Sequence, residues 1–134
     1  MPCCSRTYIR SKEILDPAIS GTLNVLGSYK KNTNLKRVVL TSSSSTIRVI
    51  SNVDPNVPLD ESSWSDVELC ETLQFWYALV KMQSEKAAWK FAKENEIDLV
   101  VVIPSFVIGP CLPLDLCLTA SDVLGLLKGE AERF

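Results

Sequence analysis

Histidine is absent from all 134 residues, and its absence excludes more chemistry than any motif in the chain implies. Ser-His-Asp and Cys-His nucleophiles, histidine-ligated metals and imidazole acid–base catalysis are all removed at once. Proton transfer near neutral pH is left to Tyr, Lys, Cys or a carboxylate. Long apolar runs are missing too: none approaches the roughly 18 residues of a membrane span. The opening stretch, MPCCSRTYIRSKEILD, has no apolar signal-peptide core, so the expected location is the cytoplasm. The cysteines number five, an odd count, with no C-x-x-C pair and no Asn-x-Ser/Thr acceptor. Neither a disulfide framework nor a metal site is indicated, and free thiols are expected. Charge of one sign is lacking as well: 14 basic against 16 acidic residues leave a net charge of -2. That balance gives no reason to expect nucleic acid or a membrane surface as partner.

What is present has the composition of a globular protein, 46% hydrophobic and 22% charged, at a length that suits a single unit. Asp16-Pro17 predicts the start of a helix, with an acidic cap, proline in the first turn, and Ile19, Leu23 and Leu26 at helical spacing. RVVLTSSSS follows, where Val38, Val39 and Leu40 make a short apolar run typical of a strand buried on both faces. Pro55, Pro58 and the surrounding Asn, Asp and Ser predict a long loop. A second helix is expected from Thr72 to Asn95, with Trp76, Val80, Ala87 and Phe91 on its apolar stripe. IDLVVVIPS is a second apolar strand, VIGPCLPLDLCL a loop carrying Cys111 and Cys117, and Thr119 to Lys128 a short helix. The order helix, strand, helix, strand, helix predicts an α/β fold with a parallel sheet. Two strands are few for a sheet of that kind, which normally has four or more.

In an open parallel sheet, ligands collect beyond the carboxyl ends of the strands. The polar strand ends, Thr41-Ser42-Ser43 and Pro104-Ser105, are therefore the expected rim of a crevice. Tyr77 and Lys81 stand one turn apart on the helix between them. An ammonium beside a phenol favours the phenolate and brings a tyrosine pKa of about 10 toward neutrality. Such a tyrosine can give a proton to a carbonyl being reduced. By spacing alone the pair is weak evidence, because Tyr-x-x-x-Lys occurs on many helices by accident.

Longer stretches in register add weight. DPAISGTLNVL, KRVVLTSS, DESSWSD, WYALVKMQSEKAAWKFAKEN and IPSFVIGP resemble the extended short-chain dehydrogenase/reductases of plants, the group of cinnamoyl-CoA, dihydroflavonol and phenylacetaldehyde reductases. The resemblance runs from about Ile14 to Phe134. It implies a partial Rossmann-like, doubly wound parallel sheet and hydride transfer between NADPH and the carbonyl of an aromatic or phenylpropanoid-type substrate. By position it implies Ser43 as catalytic serine, Tyr77 as general acid and base, and Lys81 as the residue that lowers the tyrosine pKa and holds the nicotinamide ribose. Thr41 and Ser42 would lie beside the cofactor, and Pro104, Phe106 and Val107 would place their backbone against the nicotinamide. Asn24 falls where related reductases use an asparagine to support the lysine through water, and Arg48 falls in a region that shapes the substrate pocket.

One family feature has no counterpart. Of Gly21, Gly27, Gly109, Gly125 and Gly129, none forms the Gly-rich turn that lets a pyrophosphate approach a helix N-terminus. The residues that would separate NADP from NAD are absent with it. Three readings follow: a reductase truncated at both ends; an inactive paralogue that pairs with itself or with a full-length relative; and a serine hydrolase using Ser43 and a lysine base. The last lacks a nucleophile-elbow sequence.

Overall fold

The computed structural model describes residues 11–32, 34–52, 54, 56–107, 109 and 118–130. The loop carrying Cys111 and Cys117 and the N-terminal Cys3 and Cys4 lie outside them. The chain divides into two compact units, Met1–Ile103 and Pro104–Phe134. The first holds helix α1 (Ser11–Tyr29), strand β1 (Val38–Thr41), a 3₁₀ turn at Ser44–Thr46, helix α2 (Val67–Thr72), helix α3 (Trp76–Glu94) and strand β2 (Leu99–Val102). The second holds helix α4 (Leu118–Leu127). No helix among the described residues is long and apolar enough to cross a membrane.

Both apolar runs form strands, and they pair in parallel with Val38 opposite Leu99 and Thr41 opposite Val102. The ladder is extended at each end by the Val38 amide donating to the Asp98 carbonyl at 2.9 Å and the Ser42 amide to the Val102 carbonyl at 2.8 Å. Ahead of it, Arg37 and Asp98 form an ion pair at 2.8 Å. Both side chains are half-exposed or more, so water screens the pair and it contributes little to stability. The expected burial on both faces is not found. One face carries Val38, Leu40, Leu99 and Val101 against the helices, whereas Val39 is 61% and Val102 48% exposed. The strands alternate because α1 and α3 cover a single side of this two-stranded sheet.

Helix α3 organises the core, with α1, α2 and the 3₁₀ turn all packed against it. Its first half joins Cys70, Ala78, Leu79 and Met82 in one cluster, beside Leu15, Val49, Trp64 and Trp76. Its second half gives Ala88 and Ala92 to another, with Leu26, Ile97 and Leu99. The buried stripe therefore runs through Ala78, Met82, Ala88 and Ala92, and not through Trp76, Val80, Ala87 and Phe91 as expected. Small and flexible side chains take the crowded centre, while Trp76 and Phe91 pack at the margins. The Cys70 thiol in the first cluster is fully buried, and burial pushes its pKa up, helped by the nearby Asp66.

Two helix boundaries also differ from expectation. Pro17 lies inside α1 and does not open it. Proline there forfeits one amide bond to the carbonyl four residues back. Packing of Leu15 against the Met82 cluster stabilises the turn upstream of it. The helix expected from Thr72 is two helices, since α2 ends at Thr72 and α3 starts at Trp76. Gln74, at φ 58°, makes the break, and the Phe75 amide donates back to the Cys70 carbonyl at 2.8 Å. Helix α2 is capped by Asp66, whose Oδ1 accepts from the Leu69 amide at 3.1 Å. Asp66→Ala is expected to cost about 1 kcal/mol of stability, measured as a lower urea midpoint at unchanged slope.

Candidate active site

The crossover carries α3 past the end of β1, and a cleft of about 290 Å³ opens where they meet. The end of β1 contributes Leu40, Thr41 and Ser42, and α1 contributes Ala18 and Thr22. Helix α3 contributes Tyr77, Val80 and Lys81, then Ser84 and Glu85 one turn deeper. Four of the residues singled out in the sequence, Thr41, Ser42, Tyr77 and Lys81, thus share one wall-to-wall space. The Lys81 ammonium donates to the Thr41 carbonyl at 3.2 Å, a direct tie between helix and strand end. Tyr77 is 63% exposed, so its phenol is open to an incoming molecule.

Ser43 is buried but is not among the residues lining the cleft. It caps the 3₁₀ turn: its Oγ accepts from the Ser45 amide at 3.3 Å and from the Ser45 hydroxyl at 3.0 Å. Both bonds use its lone pairs, so its own proton remains available to donate. The turn is fixed from the other side by Ser65, whose Oγ donates to the Ser45 carbonyl and accepts from the Val49 amide, each at 2.9 Å.

Two further predicted positions of the first unit are not gathered here. Asn24 lies on the exposed side of α1, where its carbonyl accepts from the Ser28 hydroxyl at 2.9 Å. Arg48 is exposed after the turn and makes no hydrogen bond or ion pair among the described residues. Pro104, Phe106 and Val107 belong to the second unit, where Phe106 and Val107 are exposed.

Two cleft residues were not anticipated. Glu85 is 4% exposed, and one carboxylate oxygen accepts a hydrogen bond from Ser42 Oγ while the other accepts from Trp89 Nε1 at 3.4 Å. The signal for it is its place in the stripe Ala78, Met82, Glu85, Ala88, where an apolar residue belongs. Ser84 Oγ is the sole buried side-chain polar atom without a partner among the described residues. A lone serine in a helix gives no signal of this kind.

A cleft beyond the end of a parallel strand, walled by the crossover helix that carries Tyr77 and Lys81, is where a Rossmann-type α/β fold collects its ligand. Residues 2–115 match the NAD dependent epimerase/dehydratase family, and the chain belongs to that family. It is similar to tetraketide α-pyrone reductase 1 of Arabidopsis thaliana, with 64% identity over 99% of this chain and 41% of the relative. It is also similar to the cinnamoyl-CoA reductase CAD2 of Medicago truncatula, with 45% identity over 87% of this chain and 36% of the relative. The structure of the yeast methylglyoxal/isovaleraldehyde reductase complexed with NADPH superposes with a TM-score of 0.67 at 33% identity, over 83% of this chain and 35% of that one. The chain therefore spans about two fifths of the length of such relatives.

Proposed function

We propose that this chain carries the catalytic portion of an NADPH-dependent carbonyl reductase. The observation that supports the reading most is the single cleft in which Tyr77, Lys81 and the strand end Thr41-Ser42 meet, with Lys81 tied to Thr41. Its donor set suits the nicotinamide-ribose end of the cofactor: an ammonium, several hydroxyls, and in Ser84 Oγ a buried polar atom without a partner. Lys81 would hold the ribose, with Thr41 and Ser42 beside it, and would keep a positive charge beside the phenol. A bound nicotinamide supplies the hydride that reaches the carbonyl carbon. As that bond forms, the carbonyl π electrons move onto oxygen, and Tyr77 gives its phenolic proton to that oxygen. Lys81 then stabilises the phenolate, and Ser43 is the further donor expected to hold the same oxygen. The similarity to tetraketide α-pyrone reductase 1 makes a ketone on an α-pyrone scaffold the first substrate to try, ahead of cinnamoyl-CoA.

The test is a calorimetric titration of the folded 134-residue chain with NADPH. Binding in the micromolar range, about -8 kcal/mol, is expected. A folded chain that takes up no NADPH would overturn the reading. A second reading, an inactive paralogue that associates with a full-length reductase, is favoured by the bare apolar face of Val39, Val100 and Val102. It predicts that titration with such a reductase gives a heat where NADPH gives none.

A further inference from the structure

Glu85 occupies an expensive position. It lies on the inward stripe of α3, between the cluster of Ala78, Leu79 and Met82 and the cluster of Ala88 and Ala92. A leucine there would be in keeping with both neighbouring clusters, whereas a buried carboxylate destabilises the fold unless its oxygens are hydrogen-bonded. Both oxygens are, and the partners differ in kind. Trp89 is on the same helix, but Ser42 is at the end of β1, 43 residues away in sequence. One turn earlier Lys81 reaches the Thr41 carbonyl, so two successive residues of the strand end are held by two successive turns of α3. The next residue along the chain is Ser43, which opens the 3₁₀ turn.

The geometry points to Glu85 as a positioning residue: its carboxylate fixes Ser42 and, through Ser42, sets where the Ser43 hydroxyl stands relative to the Tyr77–Lys81 wall. It touches neither substrate nor cofactor in this account. Its catalytic consequence rests on the reductase reading, whereas its effect on the order of the strand end does not. An apolar replacement should therefore leave the helix stable and loosen the strand end, the opposite of what a purely structural residue would do.

Three variants separate the cases: Glu85→Leu, Glu85→Gln and Ser42→Ala. Amide hydrogen exchange of the chain is measured first, because it needs no turnover. In Glu85→Leu, exchange at Ser42 and Thr46 is expected to rise roughly tenfold while Leu40 and Val101 change little and the thermal midpoint does not fall. Glu85→Gln keeps an acceptor oxygen for the Ser42 hydroxyl and should restore most of the order. Ser42→Ala should reproduce the leucine effect, and the double variant should add nothing to it, whereas the Trp89 indole resonance should move in the Glu85 variants alone. Uniform acceleration along the chain, or none at the strand end, would overturn the proposal. In turnover, Glu85→Leu should lower kcat roughly tenfold or more with KM for NADPH within roughly threefold, and Glu85→Gln should recover most of the loss. Equal losses in kcat and KM would overturn the catalytic half. A parent chain with no turnover would instead count against the reductase reading, and the exchange result would still decide whether Glu85 orders the strand end.

Discussion

Tyr77→Phe is expected to lower kcat for carbonyl reduction by a factor on the order of 10²–10⁴ while leaving NADPH affinity nearly unchanged. The substitution removes one oxygen and nothing else. Tyr77 is 63% exposed and its hydroxyl makes no hydrogen bond among the described residues, so the variant has no buried partner to strand and no cavity to create. The thermal midpoint should stay where it is. What disappears is the proton donor at the oxygen where charge develops, and a water in its place lacks the fixed position and the neighbouring Lys81 charge. Steady-state kinetics with NADPH in excess, together with titration of the variant, separates the two quantities. Normal turnover by Tyr77→Phe would remove tyrosine from the mechanism, and loss of NADPH binding would mean that the phenol belongs to the cofactor site and not to the proton path.

The largest loss of stability is expected for Met82→Ala, at about 2–5 kcal/mol. Met82 is fully buried in the cluster that joins α2, the start of α3 and Leu15 of α1. Truncation leaves a void that Cys70, Ala78 and Leu79 cannot close, because Cys70 and Leu79 are themselves fully packed. Against a total stability of about 5–15 kcal/mol, the change takes a large share. Urea denaturation should show a much lower midpoint, with Met82→Leu as a control that costs less than about 1.5 kcal/mol. A cost below about 1 kcal/mol for the alanine variant would mean that this cluster is loosely packed.

The strands were legible in the sequence because an unbroken run of branched apolar residues ending in small polar ones has few other uses, and Val38 to Leu40 and Leu99 to Val102 both pair as expected. Tyr77, Lys81, Thr41 and Ser42 were legible as a group because their spacing and the strand-end rule need no side-chain packing to apply. Helix boundaries were harder. Gln74 and Glu96, at φ 58° and 53°, end α2 and α3 in the left-handed conformation where a glycine would have announced the stop. Pro17 announced a start that burial of Leu15 overrides. The inward face of α3 was placed nearly opposite to where it lies, because its large aromatics suggest the core while its alanines and Met82 form it. That error hid Glu85, which lies on the side of α3 opposite the expected stripe. Ser43 was legible as a residue but not as a geometry, since its hydrogen bonds to Ser45 depend on the turn that follows the strand.

The parallel register of β1 and β2 also bears on how the chain reaches this structure. Arg37 and Asp98, which stand together at the start of the ladder, are 61 residues apart, and the whole of α2 and α3 lies between them. No hairpin can seed such a pairing, so loop-closure entropy must be overcome before the first interstrand bond forms. Helix α3 depends on local contacts and can form early; the sheet, with its high contact order, can only follow once α3 has turned the chain around. The cleft at the end of β1 is then among the last features to appear, and a ligand that binds there acts on the final step of folding.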